Sequence, residues 1–123
     1  MEIKQIAEKI AAALNDKQAE DIAVLDVEKI VNYASYFVIA SGKTERHVSA
    51  LASHVERTMK ELLGRPLGSE GLENGTWALL DYGDILVHLF RREEREFYDL
   101  ETLWQDAPHI ELHFDEAPAN PLP

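Results

Sequence analysis

Apolar residues recur along this chain with two different periods, and the switches between them mark its elements. From Glu2 to Leu14, the residues Ile3, Ile6, Ala7, Ile10, Ala13 and Leu14 fall on one stripe at helical spacing, with Asn15 and Asp16 as the stop. Ile22 to Val27 and Tyr36 to Ala40 are nearly continuous in apolar residues, as expected of strands covered on both faces. The connection between them, Glu28 to Ser35, shows neither period. Ser41 or Thr44 then caps the longest helix, where Val48, Leu51, Ala52, Val55, Met59, Leu62 and Leu63 recur at three- and four-residue steps. That stripe spans about 30 Å. Gly64 and Pro66 end it, glycine by allowing a left-handed turn and proline by refusing to continue the helix.

Gly68, Gly71 and Gly75 predict a loop. Beyond it, two apolar runs, Trp77 to Leu80 and Ile85 to Phe90, flank Asp81-Tyr82-Gly83-Asp84 and predict a β-hairpin. Residues 91–104 predict a last helix with Phe97, Leu100, Leu103 and Trp104 inward and Glu93 and Glu94 in its first turn, where negative charge is favoured. The predicted order is αββαββα. One four-stranded sheet with helices packed on it is the natural α/β or α+β solution, and it accounts for residues 1–107 as one domain. From 108 to 123 the chain has four prolines and no Lys or Arg. An acidic, flexible tail is expected there, although Ile110, Leu112 and Phe114 alternate with polar residues and could add a short edge strand.

Charge sharpens this picture. The net charge is −11, with 46% hydrophobic and 28% charged residues. Phosphate backbones attract Lys and Arg, so direct nucleic-acid binding is not expected, whereas a basic partner is. No apolar run approaches the roughly 20 residues that cross a bilayer. With no cysteine and no secretory or transit pattern at the N-terminus, the expected setting is cytoplasmic.

The candidate chemistry is sparse. Asp26 and Glu28, two residues apart, would point to one face of a strand and could hold Mg²⁺, and Ser41-Gly42 before a helix resembles a phosphate-cradling turn. Nucleotidyltransferases place the Gly-Ser turn before their carboxylate pair; here the order is reversed. A metal-dependent nucleotidyltransferase is therefore the alternative reading. His47 and His54 share a helix face without an acid at ligand spacing, so no metal or cofactor is expected. The hairpin carries more. Trp77 and Tyr82 are of the types that anchor interfaces, and Asp81 beside them can meet a cation; the plain reading is a core tryptophan and turn-forming Asp81 and Asp84.

Six linked segments extend this: Tyr36-Phe-Val-Ile-Ala-Ser-Gly42, Thr44-Glu-Arg-His-Val48, Glu70-Gly71, Trp77 to Asp84, Val87-His-Leu-Phe90 and Arg95 to Trp104. In register and in order they resemble the ribosomal silencing factor (Iojap-like) family, with Ser35 where the family commonly has an acid. The resemblance implies a nucleotidyltransferase-like fold that has lost its chemistry. It implies binding to the basic fourteenth protein of the large ribosomal subunit, which would block joining of the small subunit and lower translation, and it suggests a homodimer. Matched residue by residue, the family's contact region falls on Glu70, Trp77, Leu79, Asp81 and Tyr82, with Asp84 and His88 beside it. Strand alternation divides these, with Trp77, Leu79 and Asp81 on one side and Ala78, Leu80 and Tyr82 on the other.

Overall fold

The periodic stripes become helices because each has one face to bury. A computed structural model describes residues 2–72, 75–99, 102 and 104–114, and side chains at 97 and 98 are outside that description. Helix α1 (Ile3–Asp16) starts where the Glu2 amide donates to Gln5 Oε1 at 3.0 Å, and it buries Ala7, Ile10, Ala11, Ala13 and Leu14. Helix α2 (Glu45–Leu63) is capped by Thr44, whose hydroxyl accepts from the His47 amide at 3.0 Å. It ends at Gly64, where φ is +75°, a value few other residues adopt.

The strands are β1 (Glu20–Asp26), β2 (Tyr36–Gly42), β3 (Gly68–Glu70), β4 (Trp77–Asp81) and β5 (Ile85–Arg91), followed by helix α3 (Arg92–Tyr98). They form one mixed sheet in the order β1-β2-β5-β4-β3, with β2 and β5 parallel and the other pairs antiparallel. The α+β class and the hairpin are as expected. The four-strand count is not: β3 lies where a loop was expected, and the order is αββαβββα. Three exposed residues, one of them glycine, carry no alternation to read; their strand state comes from pairing with β4.

Helices α1 and α2 cover one face of the sheet, where Val24, Val38, Ala40, Ala78, Leu80, Val87 and Leu89 meet their stripes. On the opposite face, Leu25, Val27, Phe37, Ile39 and Phe90 form a second, smaller core with Ala34 and Ala107. The last helix runs from Arg92 to Tyr98 against the expected 91–104, with Asp99 in a left-handed conformation at its end. Beyond it Thr102 is again helical and residues 104–106 form a turn, while 100, 101 and 103 lie outside the described residues. Of the four positions expected to face inward, Trp104 is half-buried; the Phe97, Leu100 and Leu103 side chains lie outside the described residues. The expected boundary at 107/108 falls within packed chain. The Pro108 carbonyl accepts from the Asp26 amide, the Ile110 amide donates to the Val24 carbonyl, both at 2.8 Å, and Ile110, Leu112 and Phe114 pack on the main core. The short edge strand considered there amounts to one bridge, Leu25 to His109. Residues 115–123 of the expected tail lie outside the described residues.

Candidate functional site

Sheet register brings together residues far apart in the chain. Glu70 on β3 lies opposite Leu79 on β4, Leu79 opposite His88 on β5, and His88 beside Ile39 on β2. In the next row Trp77 faces Phe90; on the other flank Asp81 faces Leu86. All of these side chains point away from α1 and α2, because their alternating neighbours Ala78, Leu80, Val87 and Leu89 fill the helix-side core. Trp77, Leu79, Leu86 and His88 remain half-buried and Glu70 exposed, so this strip of the sheet is left open.

Its floor is aromatic. Trp77 stacks on Phe90 with ring centroids 5.1 Å apart, His88 meets the edge of Phe37 at 5.1 Å, and Trp104 packs edge-on to Phe37 at 5.4 Å. Phe37 and Phe90 are themselves buried in the second core; they back the half-buried Trp77 and His88 and hold those rings rigidly, so a partner meeting them would find little freedom left to lose. His88 is the polar member. Neither of its ring nitrogens has a hydrogen-bond partner among the described residues, and burial pushes its pKa down to about 4. At neutral pH it is an uncharged ring with one unused donor and one unused acceptor.

The expected contact residues divide. Glu70, Trp77, Leu79, Asp81 and His88 share the open face. Tyr82 does not: it packs on the helix side, its hydroxyl buried without a hydrogen-bond partner among the described residues. Burial, with the Glu56 carboxylate second, pushes the Tyr82 pKa up to about 12. Asp81 has a turn-forming role as well, since its Oδ1 accepts from the Gly83 amide at 2.8 Å. Asp84 is exposed in the turn, and its carbonyl accepts from the amides of Ser35 and Tyr36. Sequence reasoning missed Tyr33, 57% exposed and 6.4 Å from the Phe37 ring, and Ile30, 43% exposed. Both lie in the segment without a period. Large apolar side chains in such a stretch were the one available signal.

The residues of the alternative reading are otherwise engaged. Strand β1 ends at Asp26, so Glu28 lies in the following turn rather than on the same strand face, and Asp26 Oδ1 accepts from the Glu28 amide at 3.1 Å. The buried Ser41 hydroxyl accepts from Arg95 Nη1 at 2.8 Å. Gly42 is buried against α2, where a Cβ would come within 2.9 Å of the Val48 side chain, so close packing accounts for the glycine. His47 bonds to the Lys43 amide and the Lys17 carbonyl. Among the described residues no cluster of three His, Asp or Glu could hold a metal ion, and no helix is long and apolar enough to cross a membrane.

Comparison with known proteins agrees with this architecture. The family model described as "Ribosomal silencing factor during starvation" matches residues 1–122. The chain is 41% identical over 114 residues to the ribosomal silencing factor of Bacillus subtilis, covering 93% of this chain and 97% of that one. It is 33% identical over 110 residues to the chloroplastic protein Iojap of Arabidopsis thaliana, covering 89% of this chain and 46% of that protein. A crystal structure from Chromobacterium violaceum superposes with a TM-score of 0.82 at 36% identity, covering 98% of both chains.

Proposed function

Because the chain belongs to the ribosomal silencing factor family, we propose that it docks its open sheet face on the large ribosomal subunit and keeps the small subunit from joining, so lowering translation. The partner is a basic ribosomal protein at the subunit interface. The observation that carries this reading is the open strip itself: the half-buried Trp77, Leu79 and His88, backed by the buried rings of Phe90 and Phe37. Glu70 and Asp81 share its face, and Asp84 is exposed in the adjoining turn. Aromatic anchors supply affinity by excluding water over a large area, and the acids steer a cationic partner into register. With net charge −11, the chain approaches a basic surface down a favourable field and is repelled by bare RNA. The mechanism is occupancy. No bond is made or broken, and no metal or cofactor takes part.

The test is co-sedimentation of Trp77→Ala with purified large subunits, together with subunit joining followed by light scattering. Removing the indole is expected to cost at least about 2 kcal/mol, roughly thirtyfold in Kd, and to relieve the block on joining. A folded variant that still co-sediments like the parent refutes the docking face. Full co-sedimentation of the parent chain with unhindered joining would refute the steric step alone.

A further inference from the structure

The sheet ends differently on its two sides. At β1 the chain closes its own edge with residues 108–110. At the other end β3 is bonded, among the described residues, to β4 only, and Gly68, Ser69 and Glu70 are all exposed. Between β3 and the C-terminal half of α2 runs a groove of about 540 Å³, lined by Arg57, Lys60 and Arg65 with Ser53 and Ser69; Glu56 is the one acid in its lining. Among the described residues these three cations have no ion-pair partner. Arg91 and Arg92, by contrast, are each held by carboxylates, Glu94 and Glu20 respectively, through paired nitrogen–oxygen contacts. Just before β3, Leu67 is 79% exposed, the highest value for a large apolar side chain among the described residues, and it lies beside Gly83 outside the groove lining.

An edge strand and cations, both without partners among the described residues, thus meet at one groove, in a protein whose net charge is −11. We propose that this groove receives an extended acidic segment of a second protein, added to the sheet as a strand beside β3. Backbone pairing with an open edge supplies affinity that depends little on side chains. Arg57, Lys60 and Arg65 then select carboxylates, the arginines through two-pronged hydrogen bonds. Glu70 does not oppose this, because it lies in the Leu79–His88 row on the other face. No aromatic side chain lines the groove to stack a base, and one wall is open backbone, which favours a peptide over a nucleotide. The site is separate from the open aromatic face and does not depend on the ribosomal reading.

The probe is a fluorescein-labelled peptide of alternating Val and Glu, nine residues long, titrated with the full chain in low salt and followed by anisotropy. Binding is expected, with shifts of the Gly68 and Ser69 amides in ¹⁵N–¹H spectra and slowed exchange of the β3 amides that point away from β4. The double variant Arg57→Glu, Lys60→Glu, with an unchanged circular-dichroism spectrum, should weaken binding at least tenfold, and Arg57→Lys should restore most of it when combined with native Lys60. N-methylating alternate peptide amides should weaken binding at least tenfold in one register and leave it unchanged in the other. Absence of binding, or indifference to N-methylation in both registers, overturns the proposal. So does displacement of the peptide by tripolyphosphate or single-stranded RNA at concentrations matching their own tight binding. Self-association of the chain that disappears in the double variant would assign the edge to a second copy instead, and would equally overturn it.

Discussion

His88 offers a prediction whose size follows from its surroundings. The ring sits between Phe37 and Phe90, with both nitrogens unpartnered among the described residues, and burial lowers its pKa from 6.5 to about 4. In the unfolded chain this imidazole takes its proton near pH 6.5; in the folded chain it resists until about pH 4. Between those values the unfolded state binds more protons, so stability must fall as the pH is lowered. The contribution is whole above about pH 7, declines through the window and is exhausted near pH 4. At 1.36 kcal/mol per pH unit the total is about 3 kcal/mol, a large share of a small domain's stability. His54, lowered chiefly by its own burial, and Glu20 and Glu94, lowered chiefly by hydrogen bonds from Arg92 and Arg91, also lose stabilisation on acidification. They are present in both proteins when the parent is compared with His88→Phe, so the difference isolates the one ring. Urea unfolding at intervals from pH 7.5 to 4 is the assay. The variant should match or exceed the parent at pH 7.5, because a polar ring without partners is replaced by an apolar one. It should then gain about 3 kcal/mol relative to the parent by pH 4. A difference that stays constant across that range, or an NMR titration placing His88 near 6.5, refutes the reasoning.

Three further outcomes are expected. Asp81→Arg should weaken large-subunit binding and make what remains less sensitive to salt, read by co-sedimentation over a salt series; Asp81→Asn should keep the Gly83 bond and separate charge from turn geometry. Tyr82→Phe should leave subunit binding unchanged and stability unchanged or raised, because its hydroxyl is buried without a partner among the described residues on the helix side; a binding defect as large as that of Trp77→Ala would show that both faces meet the partner. Gly71→Ala should destabilise by about 2 kcal/mol or more in thermal unfolding, since φ is +73° and a Cβ there would lie 1.9 Å from the Trp77 carbonyl oxygen.

Much of the molecule was legible before any coordinates. Both long helices carry their burial stripe in local spacing, Thr44 and Gly64 mark the ends of one of them, and the hairpin lies between two apolar runs. These features are local: each depends on residues within a turn or two of one another, and propensity and periodicity report them directly. Acidity and the six linked motifs, likewise, need no fold to be read. Strand alternation even divided Trp77, Leu79 and Asp81 from Tyr82. What it could not say is which side the helices would take, because that depends on how α1 and α2 pack across strands distant in sequence. The same holds for β3, a strand only by virtue of β4, and for Ser41, whose hydroxyl is held by an arginine 54 residues on. It holds for His88, which the sequence placed beside the contact region but which becomes a neutral ring with lowered pKa only once Phe37 and Phe90 close around it. Local spacing determined both long helices and the hairpin; long-range pairing and burial decided β3 and which faces stayed open, since desolvation and register exist only between segments that the chain has already brought together.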